Sequence, residues 1–485
     1  IRFHTCEERK NGVLPITLFV SAEWIGRMEG FMQKIRWMGK FCTVWLVLAV
    51  MVSFCGCTNF FPDSETQIKN YEPTSELEEE QEQEEIVSIE WEDALELAAD
   101  YLQSMTLEEK VGQIFVVNLE QLDRRKGNYY EFRKYTKAMK ESIEKYHVGG
   151  VILFSRNIAK RKQTMALTSS LLLADRTPLF ISVDEEGGRV SRIAANKKMK
   201  TTLFPSAEEI GETEDDDYVY EMGKTIGSEI KELGFNVDYA PVADVKTSEL
   251  NEEIGDRSFG SDPDKVSEYV SAFIQGLHRT NTGAAIKHFP GQGSSNGDTH
   301  KESVDIDSSI ARLRKTDFVP FKAGIAADAD FVMVSHISVS KVTETAVPAS
   351  MSDLIMQTIL RDELGFRKVI ITDAFDMASI IDYYTPGEAA YNAFKAGADI
   401  ILMPQDLEAA YQEILTKVQD GTIEQAQLDN SVLRILAVKI QRGILSGEQL
   451  KSTPEPVETA TPEVTKKPDK KAKDKKPKKK KQQES

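Results

Sequence analysis

Between Ala284 and His300 the chain places a lysine, two histidines and an aspartate where packing gives them no reason to stand. An apolar run ends in Lys287 and His288, a glycine-rich segment follows, and Asp298-Thr299-His300 then delivers a carboxylate and an imidazole. An imidazole has an unperturbed pKa of about 6.5, so one ring can give a proton and later take it back. A neighbouring carboxylate orients such a ring and stabilises its protonated form. Gly291, Gly293 and Gly297 would let the segment swing over a bound substrate. The bland alternative is a solvated surface loop.

A second candidate is Thr372-Asp373-Ala374, which follows the β-branched run Val369-Ile370-Ile371 directly. Asp373 is either the N-cap of the next helix or a nucleophile or general base held at a strand rim. Gly291-Gln292-Gly293-Ser294-Ser295-Asn296-Gly297 is one residue too long for a dinucleotide fingerprint, and no helix clearly opens there. HExxH, EF-hand and paired-histidine spacings are missing from the sequence, so neither metal nor cofactor is expected.

The elements that must position these residues recur along the chain. Short apolar runs stand at Ile114–Val117, Gly150–Phe154, Leu179–Val183, Phe235–Ala240, Ala284–His288, Phe331–His336, Val369–Thr372 and Ile400–Met403. Each is followed by a polar loop and a helix-period segment. Unbroken apolar runs suit strands covered on both faces, as in parallel sheets. Eight such units predict a single (β/α)8 barrel, with a doubly wound open sheet as the alternative. The polar residues gather at the downstream ends. Asp184-Glu185-Glu186-Gly187-Gly188-Arg189-Val190-Ser191-Arg192 follows the third run, and Asp244 and Ile254-Gly255-Asp256-Arg257-Ser258-Phe259 follow the fourth. Lys287 and His288 end the fifth, His336 the sixth, and Asp373 follows the seventh. In a barrel these ends share one face, where active sites are built. Thr106-Leu107-Glu108-Glu109 reads as a capping box opening a helix.

The 485 residues carry a formal charge of −18, which argues against nucleic acid as the main partner. All four cysteines lie at or before Cys57, so the folded part has no disulfide and no cysteine metal site. Residues 1–57 read as a signal region, with 1–27 a fragment or upstream over-call and initiation at Met28 or Met32. Lys34, Arg36 and Lys40 precede the apolar run Phe41–Phe54, and Gly56-Cys57 closes it. That ending resembles a bacterial lipobox, with Cys57 as the lipidated residue; an uncleaved membrane anchor is the alternative. Either tethers the protein outside the cytoplasm. Residues 58–96 read as an acidic disordered linker, 97–446 as the folded domain, and 447–485 as a disordered Lys-rich tail.

Taken together, Lys287-His288-Phe289-Pro290-Gly291, Asp298-Thr299-His300, Asp184–Val190, Gly255–Phe259 and Thr372-Asp373-Ala374 resemble glycoside hydrolase family 3, in its bacterial β-N-acetylhexosaminidase branch. The resemblance runs from Met105 to Pro404. It implies a (β/α)8 barrel that removes terminal N-acetylglucosamine from β-linked substrates, notably peptidoglycan fragments. A monomer without cofactor is expected. By the same analogy Asp373 is the nucleophile, His300 the acid/base and Asp298 its orienting partner. Asp184, Arg192, Arg257, Lys287 and His288 match positions that hold the sugar. There are three departures, Gln292 where histidine is common, Thr299 for serine, and Glu252-Glu253 for an Asn-Pro-type lead-in; the first and third bear on loop geometry and substrate preference. A β-glucosidase-like or phosphorylase member of the family, and a glycan-binding lipoprotein without turnover, are the competing readings.

Overall fold

The computed structural model describes residues 89–451, apart from residue 214. The expected signal region with Cys57, residues 58–88 of the linker and the tail beyond 451 lie outside the described residues. No described helix is long and apolar enough to cross a membrane.

All eight expected strands form: β1 (Phe115–Val117), β2 (Gly150–Ile152), β3 (Phe180–Val183), β4 (Val237–Asp238), β5 (Gly283–Phe289), β6 (Phe331–Val334), β7 (Val369–Thr372) and β8 (Ile401–Leu402). Every one is buried along its length, as strands covered on both faces must be. Each pairs in parallel with its neighbours, and β8 pairs with β1 through Phe115 and Ile401. A parallel bridge between Ile371 and Ile400 joins β7 to β8 and closes the ring. The fold is therefore a (β/α)8 barrel rather than an open sheet, with aromatic side chains such as Phe180 and Phe331 meeting edge to face inside it at 5.3 Å.

The domain begins earlier than residue 97. Helix α1 (Trp91–Gln103) starts inside the stretch read as linker. Ala94, Ala98 and Tyr101 recur at spacings of four and three, share one face and are buried. That face packs on the helix Gln425–Gln441. Glutamates on its other sides hide the pattern in the composition. The expected capping box opens α2 (Leu107–Gln113): Thr106 Oγ1 accepts from Glu109 N at 3.2 Å, and Glu109 Oε2 accepts from Thr106 N at 2.8 Å. At the far end a short helix, Gly447–Lys451, runs past the boundary expected at 446.

The two ends of the barrel carry different polar residues. At the upstream ends, Asp330 accepts from Arg442 Nε at 2.9 Å and meets His278 Nε2 at 3.0 Å, while Asp399 binds Arg361 and Arg434. These buried pairs satisfy one another and form a floor. The downstream ends are built differently.

Candidate active site

The strand β3 delivers Asp184, and a small hairpin of Glu185–Gly187 against Val190–Ser191 follows at once. Across the mouth β5 delivers Lys287, only 2% exposed. Its Nζ lies 2.9 Å from Asp184 Oδ1 and 2.7 Å from Glu186 Oε1. Glu186 also takes both prongs of Arg257, Nε and Nη2 at 2.8 Å each, a bidentate pair. Burial alone would push the Glu186 carboxyl up. Arg257 and Lys287 outweigh it and hold the group well below the usual carboxylate range. Burial opposes the Lys287 charge in turn, and Asp184 and Glu186 overcome it. Arg192 stands 3.8 Å from Asp184, and its buried Nε has no partner within the protein. The result is a rigid set of charged donors and acceptors on one side of the mouth.

His288, next along β5, points into a second group. Asp244 Oδ2 accepts from His288 N at 3.1 Å and lies 2.7 Å from its Nδ1. Nε2 faces Arg257 Nη2, a pure donor, at 3.4 Å. These partners assign the proton to Nδ1 and leave Nε2 as acceptor. His336, at the end of β6, sits between Ser350 Oγ at 2.8 Å and the Ala374 carbonyl at 2.9 Å. Burial lowers its pKa, and the ring donates through Nε2 to the Ala374 carbonyl. Asp373 itself is half-buried, its Oδ1 accepting from Ala374 N at 2.7 Å. Burial would raise its pKa; His288, His336, the Ala374 N–H and His300 together bring it below the usual value. The N-cap alternative fails locally: the segment after Asp373 is not helical until Ala378–Ile381, whose N-cap is Met377.

The segment bearing His300 lies over this mouth. Ser379 N donates to the Thr299 carbonyl at 3.4 Å, tying it to the chain that follows Asp373. Asp298 Oδ1 accepts from His300 N at 3.0 Å and lies 3.2 Å from Nδ1, as the sequence predicts. A residue given no role from sequence shares that nitrogen: Glu253 Oε1 is also 3.2 Å from His300 Nδ1. The ring is 63% exposed, yet Glu253, then Asp373 and Asp298, raise its pKa to about 9 against the opposing effect of burial. The glycines need a different explanation from the one expected. A Cβ at Gly293 would stand 2.0 Å from the Val245 carbonyl, and Gly291, at φ +116°, faces Asp317 at 2.6 Å. Both serve close backbone approach rather than swing.

All the sequence-predicted residues within the described range meet at this mouth. Glu186, Asp244 and Glu253 join them. The first two were visible as carboxylates at strand ends, with no partner assignable until Arg257 and His288 were brought beside them. Glu253, Asp298 and His300 place ligand atoms within 4.8 Å of one another, the one such group among the described residues. Their oxygens are already engaged by Thr299, His300 and Lys301, the last an ammonium 2.7 Å from Asp298. That set is hydrogen-bonded and cation-occupied, a poor fit for a metal. Chemically, an ionised carboxylate and a protonated imidazole share one mouth beside a fixed set of charged donors and acceptors. Such a pair can attack an electrophilic carbon while protonating its leaving group.

Residues 106–438 match the glycosyl hydrolase family 3 N terminal domain. The chain is 33% identical to beta-hexosaminidase A of Pseudoalteromonas piscicida over 329 residues, covering 62% of this chain and 54% of that protein. It is 35% identical to a beta-hexosaminidase of Stenotrophomonas maltophilia over 262 residues, 53% of this chain and 76% of the relative. A solved family 3 beta-N-acetylglucosaminidase from Paenibacillus superposes with a TM-score of 0.66 at 32% identity, covering 71% of this chain and 64% of that one. The chain thus spans only about half the length of the first of these relatives.

Proposed function

Since the chain belongs to glycosyl hydrolase family 3, we propose that it is a retaining exo-β-N-acetylglucosaminidase acting on terminal β-linked N-acetylglucosamine of peptidoglycan-type glycans. The observation that carries the reading is the convergence of Asp373 and the His300 segment on one barrel mouth, joined at Ser379 and Thr299. The beta-hexosaminidase relatives supply the sugar class.

In the proposed reaction Asp373 attacks the anomeric carbon while the His300 imidazolium gives its proton to the departing glycosidic oxygen. A covalent glycosyl-Asp373 intermediate results. Water then adds to the anomeric carbon, His300 takes its proton, and the Asp373 carboxylate leaves. Most retaining glycosidases place two carboxylates about 5–5.5 Å apart; here an imidazole stands for the acid. Asp184, Arg192, Arg257, Lys287 and His288 hold the sugar hydroxyls, with Arg192 Nε offering an unengaged donor. The same reading takes Cys57 as a lipid anchor that keeps a monomeric enzyme outside the cytoplasm; its support is the sequence pattern.

The test is hydrolysis of chromogenic N-acetyl-β-glucosaminide against the matching β-glucoside, with and without added phosphate. Preference for the N-acetyl sugar, independent of phosphate, and loss of turnover in Asp373→Ala and His300→Ala support the proposal. Preference for glucoside overturns the specificity, and phosphate-dependent release of sugar phosphate overturns hydrolysis. Full activity in either variant removes that residue from the mechanism.

A further inference from the structure

The fold brings together three residues, Gln292, Thr299 and Glu253. Gln292 Nε2 reaches Thr299 Oγ1 at 3.4 Å, and Thr299 Oγ1 donates to Glu253 Oε1 at 2.6 Å. Glu253 Oε2 accepts from Thr299 N at 3.0 Å, and its Oε1 lies 3.2 Å from His300 Nδ1. Scattered in sequence, they form one continuous hydrogen-bonded chain.

Glu253 is itself firmly placed. Its carbonyl accepts from Arg189 Nη2 at 2.8 Å and Arg257 Nη1 at 3.2 Å. Asn251, two residues earlier, donates to the Gln292 carbonyl at 2.7 Å and accepts from Ile254 N at 2.9 Å. The Glu253 side chain is 6% exposed, so its charge is held by donors rather than by water. Arg257, through its bidentate pair with Glu186, belongs to the buried Lys287 cluster. Glu253 therefore links the rigid sugar-side cluster to the segment that carries His300.

We propose that Glu253 is a second carboxylate partner of His300, a positioning residue that latches the Thr299-His300 segment over the barrel mouth and holds the imidazole in its proton-donating form. This rests on the glycosidase reading for its catalytic meaning, and on the free protein for its geometry. The charged and titratable groups facing His300 are Glu253 from the loop after β4, Asp298 and Lys301 from its own segment, His336 after β6, and Asp373 and Asp376 after β7. Glu253 dominates in raising the ring's pKa.

Glu253→Gln keeps the shape and removes the charge; Glu253→Asp keeps the charge on a shorter arm. Two readouts on the full protein decide the matter: the pH profile of kcat/KM on chromogenic N-acetyl-β-glucosaminide, and the NMR titration of the His300 ring without substrate, assigned by its loss in His300→Ala. Glu253→Gln is expected to move both to lower pH by about one unit, about tenfold in kcat/KM on the alkaline limb, with Glu253→Asp in between. An unmoved titration in Glu253→Gln with the fold intact overturns the proposal. If Glu253→Gln does not fold, Glu253→Asp decides it by the same shift. A wild-type protein without N-acetylglucosaminidase activity overturns the functional reading alone, because the NMR titration still reports on Glu253 and His300.

Discussion

The main-chain nitrogen of Ser379 lies 3.4 Å from the carbonyl oxygen of Thr299. That single bond joins the segment holding His300 to the segment opened by Asp373. An imidazole and a carboxylate that leave the barrel from different strands are thereby kept on one mouth. The neighbouring charges are arranged for separate states: His300 is raised to about 9, while Asp373 is lowered. At neutral pH the ring holds its proton and the carboxylate does not.

Glu186 neutralises two buried cations, Arg257 and Lys287. Glu186→Gln leaves Lys287 facing Asp184, and Arg257 facing Asp244 and Asp184 without its bidentate partner. The expected loss is about 3–5 kcal/mol of stability, the usual cost of breaking a buried pair from one side. Chemical denaturation measures it, and a midpoint equal to wild type would show that Glu186 does not hold the cluster.

Asp317 is fully buried and neither of its carboxyl oxygens has a partner within the protein. Burial first, with Asp244 adding, raises its pKa from the ordinary 3.8 to about 7. Between those values the folded protein holds a proton that the unfolded chain has released, so stability falls as pH rises and levels off above about 7. Asp317→Asn is expected to raise the thermal midpoint at pH 8 and to change it little at pH 4. Midpoint shifts equal at both pH values would contradict the assignment.

The barrel floor depends on Asp330, which accepts from Arg442 and Ala284 N and contacts His278. Asp330→Ala leaves the buried Arg442 and Lys368 with only the half-exposed Asp328 as a carboxylate partner. The expectation is a loss of about 3–5 kcal/mol with KM unchanged in the protein that remains folded. A changed KM at preserved stability would mean that the floor communicates with the mouth.

Chelation tests the cluster of Glu253, Asp298 and His300 in another way. Its oxygens are engaged by Thr299, His300 and Lys301, so millimolar EDTA is expected to leave turnover untouched. Activity lost on dialysis against EDTA and restored by one divalent cation would show a metal there.

The sequence alone was enough for eight parallel strands; that they close into a ring was decided by the pairing of β8 with β1 and β7. Eight apolar runs, each too short for a helix and five of them ending in polar residues, imply parallel strands with their chemistry at one end, because a strand buried on both faces can carry charge only where it emerges. Lys287, His288 and Asp373 were legible for that reason. The helix at Trp91 was not: its small buried face of Ala94, Ala98 and Tyr101 is diluted by exposed glutamates, and composition averages over faces.

What tertiary structure decided was partnership. Glu186 and Glu253 are ordinary glutamates in a row of letters; folding sets one against Arg257 and Lys287 and the other against Thr299 and His300. Residue type determines which proton or charge a group can carry, and that is written locally. Whether the group keeps its charge depends on neighbours within a few ångströms, which arrive from other strands only when the barrel closes.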